Sequence, residues 1–560
     1  MTFPLTQREG TVMAKSRLRN WGMGVVAVAA IASTASVAGP AFAVTPTPLS
    51  NGANWIAAQL NSTSHLVHDD QYDYDDVGGS IYAAYALEVA GGHASDVTAI
   101  TDAIGTHLVG SSGYIQADEC YPASPTCTTI GYYANAAANA LVFAEAHGKS
   151  ATNWDSVDLK AAVEARIATT TGATGGKIAD DSTYGDYANS IGQALAARGL
   201  AGASSADAAS ALSFLLKQQC SAGYFRLYFD AGSDSSWSCD SGIASGKSPA
   251  DLDTTALVMR QLEPLASGNS AVQTALDNAK TWLLSQQHAD GSFGGGPSTP
   301  APNANSTGLA GWALGDLGQT AAAGKAAVWV RRHQAQELPG CPTALSNQTG
   351  AIAYDDSVLA TGRAHGIPTN VQGEWRLATF QALPVLQWAP TTGGTVTAAA
   401  TTGYVQANWS TKVTVRGLVP GSPLCLTVGQ TKAPGTAALS GNAGVNVLMP
   451  AGTGNRVVSV TDGTVTKTVT VRVLGAKTLG VQTSTLSPRA GTTFTIRVTG
   501  LAPGETVHVS YGGKAIRTMS ASSAGVYSTR IYSGAVGAHA LVVTGQFWNR
   551  RVAQTITVIR

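Results

Sequence analysis

Two hydrophobic rhythms divide the chain. Up to about residue 390, apolar residues recur at helical spacing between loops that carry Gly and Asp. Beyond it, apolar and polar residues alternate in short runs rich in Thr and Val, broken by Gly and Pro. The first rhythm predicts helices and the second strands. In the helical part six segments share one plan. An outer helix ends in an apolar or aromatic residue and then Gln: W-I-A-A-Q at 55–59, F-L-L-K-Q-Q at 214–219, W-L-L-S-Q-Q at 282–287 and W-V-R-R-H-Q at 329–334. A polar loop then leads to a second helix rich in Ala and Leu. These second helices begin D-D-V-G-G-S, Y-Y-A-N-A-A, D-Y-A-N-S-I, L-D-T-T-A-L, A-N-S-T-G-L and D-D-S-V-L-A. Small residues on every side of a helix predict burial on every side. Six such pairs, with the small-residue helices inside, predict an all-α (α/α)6 toroid over 44–390.

The strand part repeats as well. W-S-T-K-V-T-V-R-G-L-V-P-G, starting at Trp409, returns as T-T-F-T-I-R-V-T-G-L-A-P-G, so that Gly417, Pro420 and Gly421 match Gly500, Pro503 and Gly504. T-V-T-V at 468–471 and T-I-T-V at 555–558 close the two copies. Two all-β sandwiches are expected, over 391–475 and 476–560. They resemble bacterial immunoglobulin-like modules in architecture; the cysteine–tryptophan core of antibody domains is absent.

Within the helical part, Gln219, Gly223 and Phe225, and again Gln287, Gly291 and Phe293, form Q-x-x-x-G-x-F after an aromatic-tipped helix. This resembles the QW-type repeat of terpenoid cyclases and protein prenyltransferases, with Phe in place of Trp. The resemblance covers about 50–390 and implies the squalene-cyclase-like toroid. Cobalamin carriers and complement-type thioester domains share that toroid, but the thioester G-C-x-E-Q is missing; Cys341 lies in P-G-C-P-T.

Composition changes the picture toward the cell exterior. Lys15, Arg17 and Arg19 precede an apolar run from Met23 to Val37, and Ala41-Phe42-Ala43 gives a small-x-small cleavage pattern. Residues 1–43 read as a secretory signal peptide, with the mature chain starting at Val44. No second membrane span is expected, and the end of the chain, T-I-T-V-I-R, has no apolar tail, so a released or non-covalently held monomer is expected. Lys+Arg and Asp+Glu are both 34, which argues against nucleic acid as a partner. Charged residues make up only 12%, well under the usual quarter. Six cysteines fit an oxidising compartment. Cys120 with Cys127, and Cys220 with Cys239, are expected as local disulfides; Cys341 and Cys425 are left as a bridge or as free thiols.

The chemistry concentrates near the start of the helical part. Asp69, Asp70, Asp73, Asp75 and Asp76 fall within eight residues of H-L-V-H-D-D-Q-Y-D-Y-D-D. The resemblance to class II terpene cyclases, which carry D-x-D-D, would make Asp75 a general acid with Asp73 and Asp76 beside it. Crowded carboxyls keep their protons to higher pH. Such chemistry also needs an aromatic-lined apolar cavity, which that family builds between two barrels, and one barrel is counted here. A second reading is a calcium site at Asp69, Asp70 and Asp73, because calcium favours clustered carboxylate oxygens; His65 and His68 add nitrogen donors at zinc-like spacing. A third is helix capping. Asp76, Asp186, Asp253, Asn305 and Asp356 occupy one column of the repeat, with Tyr132 in the sixth place, and Asp and Asn satisfy free N–H groups where helices begin. The same column would rim one mouth of a toroid, so Tyr132, Asp186, Tyr187, Asp253, Asn305 and Asp356 are also candidate ligand-binding residues. Tyr72, Tyr74, Tyr132, Tyr133, Tyr184 and Tyr187 cluster at or just before the second helices of three successive repeats; ordinary packing between loop and barrel accounts for them first, and an aromatic wall for an apolar or sugar-like ligand is the alternative. G-I-A-S-G-K-S at 242–248 is one residue short of a phosphate-binding loop, with Ser241 where Gly is required. The sequence therefore points to a secreted, non-catalytic protein that binds a small ligand or cell-surface component at the toroid mouth. A cyclase acting through Asp75 and a cobalamin-type carrier are the alternatives.

Overall fold

The computed structural model describes residues 47–120, 127–475 and 479–560. The expected signal segment, 1–43, lies outside the described residues, and no helix among them is long and apolar enough to cross a membrane. The chain forms two compact units. One is helical, running to Gln336 and resuming over Thr343–Pro390; the other comprises Glu337–Pro342 and Thr391–Arg560.

The described residues of the helical unit hold thirteen α-helices: α1 (Pro48–Ala57), α2 (Val77–Ala90), α3 (Ala94–Thr106), α4 (Ala134–Ala146), α5 (Leu159–Glu164), α6 (Ser190–Gly202), α7 (Ala208–Leu216), α8 (Leu252–Leu262), α9 (Ser270–Ser285), α10 (Ala304–Asp316), α11 (Thr320–Arg332), α12 (Asp356–His365) and α13 (Thr369–Ala382). Helices α2, α4, α6, α8 and α10 are buried nearly all round, as their small residues predict. They neighbour one another in the order α4, α6, α8, α10, after which α13 joins α10 to α2. Tyr85 of α2 meets Phe143 of α4 edge-on at 5.4 Å.

The helix that packs against both α10 and α2 is therefore α13. The segment D-D-S-V-L-A-T-G, expected in that place, forms α12, which buries only Leu359 and Gly362. Helix α13 buries Trp375 and Phe380 instead of a run of small residues, so a search for Ala-rich faces passes over it.

The loop chemistry explains the glutamines. Gln219 Nε2 donates to the carbonyls of Gly223, in its own loop, and Ala275, in the next outer helix, both at 2.8 Å. Gln287 does the same to Gly291 and Ala322. Gln334 repeats it across a longer loop, donating to Gly350 O at 3.1 Å and to Pro48 O at 2.8 Å. That last bond joins the end of the helical sequence to its beginning. The residue two beyond each glycine is then anchored by the inner helix. Phe225, Phe293 and Ile352 donate their backbone N–H to Thr255, Thr307 and Thr379 Oγ1 at 2.8–3.0 Å. Val67 uses Ser80 Oγ and Ile178 uses Gln193 Oε1 in the same way. Gly223, Gly291 and Gly350 all have φ near +100°, and a Cβ at each would collide with a backbone carbonyl of the next outer helix.

The second unit contains two modules with separate apolar cores. In the first, strands Ala443–Leu448, Ser410–Arg416 and Thr397–Ala400 form one sheet. Strands Tyr404–Gln406, Thr466–Leu474, Gly454–Thr461, Pro423–Val428 and Thr431–Thr436 form the other. The second module has a three-stranded and a four-stranded sheet over residues 480–558. There the fully buried Arg550 holds Glu505 through two bonds of 2.8 and 3.0 Å and also donates to Gly475 O and Gly500 O. Disulfides join Cys120 to Cys127, Cys220 to Cys239 and Cys341 to Cys425. The last lies within the second unit, because residues 337–342 belong to it.

Replacing Gln334 by Leu leaves the buried Gly350 carbonyl and the half-buried Pro48 carbonyl without this donor. The urea-unfolding free energy of the helical unit is expected to fall by about 1–3 kcal/mol. A change within about 0.5 kcal/mol, the scatter of ordinary surface substitutions, would mean that the closing bond is dispensable.

Candidate functional site: the rim before the inner helices

Each of these helices is entered from a polar loop, and the loops carry most of the sequence-predicted site residues. The first is a hairpin of β1 (Val67–Asp69) and β2 (Tyr74–Asp76), with His68 opposite Asp75. Asp75 Oδ1 accepts from Ser64 Oγ and pairs with His68 Nδ1, both at 3.0 Å, while its Oδ2 lies 3.7 Å from His107 Nε2. Asp76 caps α2, accepting from Gly79 N at 2.8 Å, and its burial pushes its carboxyl above the ordinary range. Asp73 is solvent-exposed with φ +53° and approaches His68 Nε2 at 3.4 Å. Asp69 accepts from the backbone of Gln71 and Tyr72, tightening the turn. Asp69 and Asp70 line a cavity of about 270 Å³ together with Thr369–Glu374 and Arg376. Arg376 ties this hairpin to α13, donating to His68 O and Gln59 Oε1. Asp73 and Asp75 thus share His68 while Asp69 and Asp76 bond backbone N–H groups, and among the described residues no three His, Cys, Asp or Glu side chains are arranged to hold a metal ion. His65 is exposed with φ +59°.

The capping column needs a new register. Asp76 caps as expected, but the other side-chain caps are Asn189, Asp251, Asn303 and Asp355. Asp253 and Asn305 sit one step inside, in the first turns of α8 and α10. Asn305 Nδ2 donates to Gln381 Oε1 across to α13 at 2.8 Å. Asp356 lies on the outer helix α12, paired with the buried His333 at 3.0 Å, and so stands apart from the others. Tyr132 does not cap α4. Asp180, from the following repeat, takes that role: its Oδ1 accepts from Ala134 N at 2.7 Å and its Oδ2 from Tyr187 N at 3.0 Å.

Tyr132, Asp186 and Tyr187 do come together. Strands β3 (Gln116–Asp118) and β4 (Ile130–Tyr132) pair, and Tyr132 exchanges both backbone bonds with Asp181. Asp186 accepts from Asp180 N and Ala188 N and pairs with Lys177 at 2.8 Å. Asn135 of α4 donates to Tyr187 O. Glu119, which has no motif to mark it in the sequence, knits the loops together. It accepts from Ser182 Oγ, Thr183 N, Thr183 Oγ1 and Tyr133 Oη. Burial pushes its carboxyl up, but these donors outweigh burial and hold it below the ordinary range. Arg166 lies over the Tyr132 ring at 5.2 Å and pairs with Asp181 at 3.2 Å. A cavity of about 370 Å³ opens here, walled by Val109, Ile115, Ala137 and Ala162, with Tyr132 and Arg166 among its polar edges.

The loops leading into α2, α4, α6 and α8 all carry exposed rings. Tyr72, Tyr74, Tyr132, Tyr184, Tyr187 and Tyr228 are between 37 and 58% exposed. Tyr228 was not foreseen; its backbone pairs with Asn189, the cap of α6. The space among the inner helices is occupied differently. Tyr82, Tyr85, Arg198, Arg260 and Trp312 are all buried. Arg260 stacks 3.4 Å from the Trp312 ring centre and pairs with Asp316. Burial pulls Arg260 down to about 10. Arg198 donates to Gln261 at 2.8 Å.

No protein-family model matches the chain, and no curated protein matches it. Among solved structures, the type II terpene cyclase MstE from Scytonema is 17% identical with a TM-score of 0.38, over 61% of this chain and 97% of that one. A protein from Actinoplanes is 15% identical with a TM-score of 0.38, over 61% and 98%. The Escherichia coli adhesin FdeC is 15% identical with a TM-score of 0.22, over 31% of this chain and 66% of that one. This chain thus spans about two thirds of the FdeC structure. At such identities and TM-scores the functional argument rests on this chain's own geometry.

The hydrogen bond to Asp75 raises the pKa of His68 above its ordinary 6.5, with the charges of Asp75, Asp70 and Asp73 adding to it against desolvation. A raised histidine stabilises the fold below the ordinary value and loses that contribution as pH rises through the folded value. NMR titration of the His68 imidazole is expected to give a pKa above 6.5 that drops toward 6.5 in Asp75→Asn. An unchanged value in the variant would mean that the pair does not govern His68.

Proposed function

We propose that this chain is an extracellular, non-catalytic binding protein whose working surface is the rim where the inner helices begin. On this reading the helical unit is an α/α toroid of six helix pairs, and the two β modules are immunoglobulin-like spacers or adhesion units. The observation that carries the reading is a contrast: exposed tyrosines crowd the rim, while buried Tyr85, Arg260 and Trp312 occupy the space among the inner helices. A polycyclising enzyme needs that space for its substrate, lined by aromatic faces toward a carbocation. There Arg260 stacks on Trp312 and pairs with Asp316, and Arg198 bonds Gln261, so those side chains already take up that space. Asp75, the residue a cyclase would use as acid, accepts from Ser64 and pairs with His68 in the hairpin. Three disulfides fit an oxidising compartment.

Native mass spectrometry of residues 44–560 from a secreting host, with solvent extraction, tests this together with incubation in geranylgeranyl diphosphate or squalene. The expected result is no cyclised product above that of Asp75→Asn, and a co-purifying ligand that is lost in Tyr184→Ala/Tyr187→Ala. Cyclised product that depends on Asp75 would overturn the reading in favour of a cyclase.

A further inference from the structure

We infer that the tyrosine rim is a docking surface for a neutral polysaccharide. This deepens the binding reading above and rests on it. Exposed tyrosines scattered singly over a surface need no explanation. These six stand in the loops that lead into four successive inner helices, α2, α4, α6 and α8. Exposed rings distributed over four successive loops suit an extended chain better than one small molecule.

The rings are mounted on fixed backbone. Tyr132 is bonded to Asp181 in both directions, at 2.8 and 3.0 Å. Tyr187 is held at its N–H by Asp180 and at its carbonyl by Asn135. The Tyr184 N–H donates to Ser182 Oγ, whose own proton goes to Glu119. Tyr228 is bridged to Asn189. A surface ordered in advance loses little entropy when a ligand lands on it.

Charge selects the ligand class. Asp70, Asp73, Asp118, Asp181 and Asp186 are exposed along the rim and offer acceptors. Three of the rim's cations are engaged, Arg166 with Asp181, Lys177 with Asp186 and Arg376 with His68 O and Gln59, and the exposed Lys247 of the loop into α8 is accompanied there by exposed Asp234 and Asp240. An acidic polymer would meet a surplus of carboxylates over cations. A ligand that donates O–H groups and lays flat C–H faces on aromatic rings fits both features, and a neutral pyranose chain has both. The cavity of about 370 Å³ beside Tyr132 lies within the usual size of small-ligand pockets and offers a place for one branch or chain end.

The test is affinity electrophoresis of the full secreted chain in native gels cast with soluble β-glucan, xylan or α-mannan, with polygalacturonate as the acidic counterpart. At least one neutral polymer is expected to retard the chain. Tyr184→Ala/Tyr187→Ala is expected to weaken that retardation about tenfold. Tyr184→Phe/Tyr187→Phe keeps the rings and is expected to retain most of it. Both residues are more than half exposed, and Tyr184 Oη makes only a 3.5 Å bond to Glu119 O, so an unchanged thermal midpoint separates lost binding from lost folding. No retardation by any neutral polymer, retardation by polygalacturonate alone, or retardation indifferent to the alanine pair would each overturn the proposal. Native mass spectrometry separates the two levels. A lipid, peptide or corrinoid lost from the alanine pair overturns the glycan class and keeps the rim; no ligand by either method overturns both.

Discussion

The helical unit depends on one repeated hydrogen-bond device. A glutamine at the end of an outer helix satisfies one carbonyl in its own loop and one in the next outer helix, as Gln219, Gln287 and Gln334 do. Each loop would otherwise bury carbonyls without donors, at a cost comparable to a lost hydrogen bond each. The glycine between the two contacts allows the backbones to touch. The hydroxyl of Thr255, Thr307 or Thr379 then anchors the backbone N–H two residues past that glycine. Gln193 performs both tasks at once: its oxygen accepts from Ile178, and its amide donates to Gly176 and Ala211. In the last copy the neighbour is Pro48, so the same bond that spaces the repeats also closes the series.

Closure has two consequences. Inner helices packed by small residues bring their larger side chains together, and here those include two arginines, Arg198 and Arg260. A buried guanidinium is tolerated when it is paired or stacked. Arg260 is both, through Asp316 and Trp312. The entry loops, in contrast, are free to vary in length and content while their ends stay clamped. Function gathers on such loops when a rigid scaffold positions them. The Asp180, Asp186 and Glu119 network spends its acceptors on backbone and hydroxyl donors, leaving the tyrosine rings to face water.

Much of this was legible in the sequence, and the misses have physical causes. The two Q-x-x-x-G-x-F segments could be read because glutamine, glycine and aromatic fall within seven residues. Gln334 and Gly350 play the same parts, but a long loop separates them, and residues 337–342 within it belong to the other unit. G-A-I at 350–352 and G-K-I at 176–178 carried a usable signal, a glycine two residues before an apolar anchor. The caps were misplaced by one to three residues because D-L-D, N-A-N and D-D each offer two candidates. Which of the two caps is decided by where the chain leaves extended geometry, and the loop's tertiary contacts set that point. Asp180 capping α4 from the next repeat has no local signature at all. The tyrosines of three repeats were visible as a cluster; Tyr228 was hidden beyond Phe225, in a segment that reads as part of the loop core.

The central claim is that the space among the inner helices is filled and that the rim is the accessible surface. Hydroxyl-radical footprinting of the full secreted chain, read residue by residue by mass spectrometry, tests it most directly and needs no ligand. The account predicts fast oxidation of Tyr72, Tyr132, Tyr184, Tyr187 and Tyr228, and protection of Tyr82, Tyr85 and Trp312 to the level of the fully buried Phe225 and Phe293. Oxidation of Tyr85 and Trp312 at the rate of the rim tyrosines would reveal an open, solvent-filled interior and contradict it.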